Sequence, residues 1–164
     1  MQRYILPIGL LLLAAAIQGN LPMWLTIKGA RPDLILVVVI ATALTLDPVT
    51  GTVVGFIAGF IHGSIIGENL GSFMISRTII GFTAGCVTIR FFSENPLVPV
   101  VAAGGLTFAG EGLFLLLNPI TDLTTALNTM LAKALYNSLL ALIAYWILRS
   151  IQLRRKIKMA TARL

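Results

Sequence analysis

A chain of 164 residues that is 57% hydrophobic and only 11% charged, with a mean hydropathy of +0.95, is no ordinary soluble domain. At this size too much of a domain is surface, so water would meet a largely apolar shell; lipid is the solvent that removes the difficulty. The net charge of +6 does not point to nucleic acid, because the clearest basic cluster, Arg154, Arg155, Lys156 and Lys158, directly follows an apolar segment and there reads as a cytoplasmic stop signal with affinity for anionic lipid heads.

The first stretch, Met1 to Gly19, imitates a secretory signal: Arg3 precedes an apolar run, and Ala14-Ala15-Ala16 offers small residues for cleavage. Because most of the remaining chain is also membrane-like, it is read as an uncleaved first span over 4–24, with Pro7 in its first turns, where a missing N–H is tolerated. Lys28-Gly29-Ala30-Arg31-Pro32 makes a turn. Span 2 covers 33–46 and is short for a bilayer that asks for ~20 residues. Asp33, after Pro32, opens it as a helix cap. Asp47-Pro48 separates it from span 3, at 49–66, and Gly67-Glu68-Asn69 connects tightly to span 4, at 70–92. After the turn Ser93-Glu94-Asn95-Pro96 comes span 5, at 97–117, and beyond Asn118-Pro119 and Asp122 comes span 6, at 126–148, followed by a basic tail, 149–164. No linker is long enough to separate two soluble domains, so 1–164 reads as a single all-α transmembrane domain of about six helices.

Basic residues set the orientation. With six spans and the N-terminus inside, the inner side holds Arg3, Arg90, Arg149, Arg154, Arg155, Lys156, Lys158 and Arg163, and the outer side only Lys28 and Arg31. Both termini are therefore expected in the cytoplasm. Cys86 and His62 are the only residues of their types. No metal constellation can be built from them, no phosphate-binding loop occurs, and no catalytic grouping argues for an enzyme or a bound cofactor.

Two patterns remain. Gly51, Gly55, Gly59, Gly63, Gly67 and Gly71 recur every four residues, and each step turns ~40° past one full turn of helix. They predict a bare, slowly winding strip beside Phe56, against which another backbone packs closely. That backbone is either a span of the same chain (4 or 6) or a partner helix. Ala43, on span 2, is expected to be packed less tightly. The second pattern is a polar layer: His62, Arg77, Glu111 and Lys133 all fall within roughly 10 Å of the outer surface. Ionisable groups at that depth seldom face lipid, so they pair inside the bundle, with Glu111 read as their one carboxylate. The layer is either a set of structural ion pairs or a small outward-facing pocket.

Arg31-Pro32-Asp33-Leu34-Ile35-Leu36 opening a span, and Gly55-Phe56-Ile57-Ala58-Gly59-Phe60-Ile61-His62-Gly63 running on to Gly67-Glu68-Asn69-Leu70-Gly71, together resemble the rod shape-determining protein MreD family of bacterial inner membranes. The match is good over residues 31–71 and elsewhere rests on hydropathy. The acidic residue of the family motif falls at Gly63 and is absent, with His62 beside it. The resemblance implies a non-enzymatic scaffold of the cell-elongation machinery that partners the single-span protein MreC and works beside MreB, RodA and a class B penicillin-binding transpeptidase; a homodimer stays open. Arg31, Pro32 and Asp33 are the candidate contacts at the outer end. The resemblance also implies a fold similar to the substrate-binding subunits of energy-coupling-factor transporters, and so an alternative: a vitamin binder using the polar layer as its pocket.

Overall fold

The computed structural model describes residues 2–26, 29–91, 97–119 and 122–161, with the side chains of 2–3, 88–91, 97 and 152–161 outside that description. Lys28 and the turn expected at 93–96 thus lie outside the described residues. The described chain forms six α-helices: α1 (Gln2–Gly19), α2 (Leu34–Thr45), α3 (Pro48–Ile66), α4 (Leu70–Phe91), α5 (Leu97–Leu117) and α6 (Leu123–Thr161), with a 3-10 turn at Met23–Leu25.

α2 is apolar all round, and nine of its twelve residues are buried, as a helix without a polar face requires. It touches each of the other helices, which surround it in the order α1, α3, α4, α5, α6. Among the described residues α1 and α6 do not touch, so the ring is open at that seam. Leu36, Ile40 and Leu44 of α2 pack on Ile80, Leu106 and Tyr145 from the α4–α6 side. Ile35 and Val39 meet Leu11 of α1 and Val54 of α3 on the other.

Four helices have stretches long and apolar enough to cross a bilayer: Pro48–Ile66, Leu70–Val87, Val98–Leu117 and Leu123–Ile151. The apolar stretch of α1, Tyr4–Gly19, is shorter, and α2 is roughly 18 Å long against a hydrocarbon core of about 30 Å. The largest departures of the helix bounds from expectation are at two places. α1 stops at Gly19 rather than 24, where the Asn20 side chain donates to the Ala16 carbonyl at 2.9 Å and Pro22 follows. α6 does not end at 148; it continues unbroken to Thr161, so the expected tail is largely helix.

The glycine strip lies against α4. A Cβ placed on Gly51 would land on the Gly81 carbonyl, on Gly55 on the Arg77 carbonyl, on Gly59 on the Met74 and Phe73 backbone, and on Gly63 on Leu70. α4 reciprocates, since a Cβ on Gly81 would strike Gly51 and one on Gly85 would strike Pro48. The strip stops there. Gly67 is instead the left-handed C-cap of α3, at φ 80°, a conformation suited to glycine. Gly71 has open space around it, and Phe56 faces outward at 52% exposure. Ala43, expected on a looser face, is fully buried and lies where a side chain on Gly51 would reach. Gly59→Leu should therefore cost about 3 kcal/mol or more, because backbone rather than a yielding side chain blocks it. Gly71→Leu should change stability by about 0.5 kcal/mol or less. Thermal melts of the two variants in detergent check this contrast.

Candidate functional site

The close approach of α3 and α4 leaves the Arg77 side chain on the inner side of α4, where it is 1% exposed. A buried cation in a lipid-surrounded bundle needs an anion. Arg77 Nη2 finds Asp33 Oδ2 at 2.5 Å and Glu111 Oε1 at 3.5 Å. Lys133 Nζ lies 2.7 Å from Glu111 Oε2. The layer thus holds two carboxylates and two cations, and it joins α2, α4, α5 and α6.

Asp33 is its best-connected member. It caps α2, its Oδ1 accepting from the Leu36 N–H at 2.8 Å, one of the N–H groups that a helix start leaves without a partner. Its own N–H donates to Asn137 Oδ1 of α6 at 3.0 Å, and Asn137 Nδ2 reaches Thr107 Oγ1 of α5 at 3.4 Å. Gln18, at the end of α1, closes the same corner. Its Nε2 donates to the Pro32 carbonyl at 3.0 Å and its Oε1 accepts from the Leu34 N–H at 2.8 Å. His62 of α3 sits with Nδ1 3.7 Å from Asp33 Oδ1. Its ring stacks on Phe73, centroids 4.5 Å apart, and Phe73 meets Phe114 at 4.5 Å. The Arg77 guanidinium lies 5.5 Å from the Phe73 centroid. Its Nε and Nη1 find no acceptor among the described residues, so the aromatic ring serves the rest of the cation.

Every helix therefore supplies a polar side chain to one corner of the bundle. The charged groups are engaged with one another, and among the described residues no cluster of histidine, cysteine or acidic groups fits a metal ion.

The sequence profile of rod shape-determining protein MreD matches residues 1–156. The chain belongs to the MreD family. Its role is accordingly in rod shape determination, and its apolar helices agree with a membrane protein. No curated protein and no solved structure matches the chain.

Within this MreD-family bundle, His62, Arg77, Glu111 and Lys133 are brought together. Glu111 is not their sole carboxylate, because Asp33, expected as an outer contact with Arg31 and Pro32, is buried and central. Pro32 is buried as well; Arg31 alone of the three is exposed, its Nε donating to Thr26 Oγ1 at 3.2 Å. A side chain at position 63, where the family motif is acidic, would run into Leu70 of α4, whereas residue 62 faces the layer. Gln18, Thr107 and Asn137 escaped the sequence reading. Asn137 had a signal, one helical turn beyond Lys133 on the same face of α6.

Removing one member of a buried pair leaves the other charge uncompensated, at about 3–5 kcal/mol. Asp33→Asn should lower the melting temperature in detergent more than Glu111→Gln: it keeps the cap but takes from the 1%-exposed Arg77 its nearest anion, whereas Lys133, the nearest partner of Glu111, is 30% exposed. The double variant Asp33→Asn/Arg77→Met should recover part of the loss, giving a coupling in the double-mutant cycle. Additive losses would mean that the pair is not coupled.

Proposed function

We propose that this protein is a non-enzymatic scaffold of the cell-elongation machinery: a single six-span domain, 1–164, in the bacterial inner membrane, binding an MreC-like single-span partner. The observation that carries the reading is the pairing of the charged layer. A binder of a vitamin-sized molecule needs convergent polar groups left free around an enclosed space. Here Asp33, Arg77, Glu111 and Lys133 are spent on one another, as suits a rigid platform. The similarity to energy-coupling-factor subunits and the contacts with RodA, a class B penicillin-binding protein and MreB belong to the same proposal and rest on the family resemblance.

The glycine strip is covered by α4, so the partner surface is sought at the end of the bundle that carries the 20–33 loop. There Met23 and Trp24 are each 79% exposed, near exposed Arg31. An aromatic and an arginine at an open edge are the residue types that dominate interface energetics. Trp24→Ala with Arg31→Glu should reduce co-purification of a tagged MreC-like protein at least about tenfold, the loss expected of two interface anchors, with an unchanged melt. Failure of the unaltered chain to retain that partner would overturn the scaffold reading; retention by the double variant would move the contact away from this loop.

Topology is tested separately. The excess of lysine and arginine on the side of the termini supports a cytoplasmic position for both. A fluorescent reporter that folds only in the cytoplasm, fused after Leu164, should be bright, and a periplasmic phosphatase at the same point inactive.

A further inference from the structure

The helices of this bundle differ in the apolar length they offer to lipid. The apolar stretches of α3 and α5, at 19 and 20 residues, come close to the thickness of a bilayer's hydrocarbon core, and that of α6, at 29 residues, exceeds it. The stretch in α1, Tyr4–Gly19, extends only roughly 24 Å against a core of about 30 Å. α2 is shorter still, but the other helices enclose it, so its length is hidden from lipid.

The length of α1 is not hidden. Ile5, Leu12, Leu13 and Ile17 are exposed, on the side turned away from Leu11, Ala14 and Ala15, which pack toward α2 and α3. A Cβ placed on Gly9, on the same outward side, would meet nothing. A span that is too short gains nothing by tilting, because tilt reduces its reach further. α1 carries no basic side chain in its last turn to extend toward headgroups. Nor is it free to slide: Gln18, in that turn, donates to the Pro32 carbonyl and accepts from the Leu34 N–H, which ties the end of α1 to the start of α2. The remaining adjustment belongs to the lipid, which thins beside a short span.

We propose that the outward face of α1 is a surface for a thin bilayer and gathers phospholipids with short acyl chains beside it. The proposal rests on the six-span reading above, in which α1 crosses the membrane. The occupant follows from length. The exposed apolar face, from Ile5 to Ile17, extends roughly 18 Å, and exposed, polar Asn20 follows it. Short chains cover that face and stop, whereas long chains must bend or run on past it into polar surroundings. Beside α6 the apolar stretch Leu123–Ile151 accompanies a long chain over its whole length. One protein therefore meets two bilayer thicknesses on its two sides.

The test uses the full chain with its two tryptophans replaced, as Trp24→Phe and Trp146→Phe, and a single reporter placed on one side or the other. Leu12→Trp reports on α1 and Leu139→Trp on α6, at positions 57% and 66% exposed. Each protein, with its helicity checked by circular dichroism, is reconstituted in vesicles that mix acyl-brominated dioleoyl phosphatidylcholine with an unbrominated phosphatidylcholine carrying either myristoleoyl or the longer erucoyl chains. Relief of quenching gives the relative affinity of each unbrominated lipid for the surface beside the reporter. At Leu12→Trp the short-chain lipid should be favoured by about threefold or more, as a deficit of about 6 Å implies. At Leu139→Trp the two lipids should be even or the order reversed. Leu13→Trp, on the same outward side of α1, should repeat the result at Leu12→Trp. Ile17→Gln shortens the exposed apolar face by a turn, so it should raise the short-chain preference at Leu12→Trp and leave Leu139→Trp unaltered. The same chain-length preference at both reporters would overturn the proposal and leave the six spans standing, as would no change in Ile17→Gln. Absence of quenching at both Leu12→Trp and Leu13→Trp, with Leu139→Trp quenched normally, would deny α1 its contact with lipid and overturn the proposal together with the first span.

Discussion

A full positive charge at 1% exposure in a bundle built for lipid is the constraint around which this structure is arranged. Arg77 cannot be deprotonated, and leaving it without an anion would be prohibitive at that depth. Asp33 answers it directly and Glu111 at longer range, with Lys133 restoring balance at the far end. Much of the rest depends on where Asp33 has to be. It must lie at the depth of Arg77, so α2 starts within the bundle rather than at its surface and has only twelve residues left to run. A helix that starts so deep exposes N–H groups to an apolar interior, and the same carboxylate caps them. Asn137 and Gln18 complete the corner.

The ion pair in turn needs α4 close to α3 and fixed in rotation. The reciprocal glycine contacts supply both. Bare backbone at Gly51, Gly55 and Gly59 lets carbonyls of α4 approach to a distance that any side chain would forbid, and the gain is dispersion and close packing rather than a hydrophobic effect, which lipid does not provide between helices. The Arg77 carbonyl belongs to that contact, so one residue gives its backbone to α3 and its side chain to the charged layer. Small residues and buried charges here form a single construction.

This construction bears on rod shape determination, the role of the MreD family. With its charges engaged internally and its glycine strip filled by its own α4, the bundle behaves as a fixed body. What remains outward is Met23, Trp24 and Arg31 at one end, and Trp146 with the projecting α6 at the other.

Hydropathy placed α3, α4 and α5 nearly to the residue, because each is a long apolar run closed by a proline, glycine or asparagine, and those signals are local. The periodic glycines announced a close helix contact for the same reason: four-residue spacing on one helix needs no knowledge of the rest of the chain. The grouping of Arg77, Glu111 and Lys133 was also legible, since depth comes from counting residues along each span. Three things were decided only by the tertiary structure. Asp33 is legible as a helix cap but otherwise reads as an outer contact; only the packing of α2 against α4 brings its carboxylate to Arg77, 44 residues away in the chain. The choice of α4 as occupant of the strip depended on Gly81 and Gly85 meeting it in register, which spacing within one helix does not reveal. The extension of α6 to Thr161 depended on a helix leaving lipid without a breaker, where hydropathy, which measures transfer and not backbone conformation, registers only the end of the apolar run.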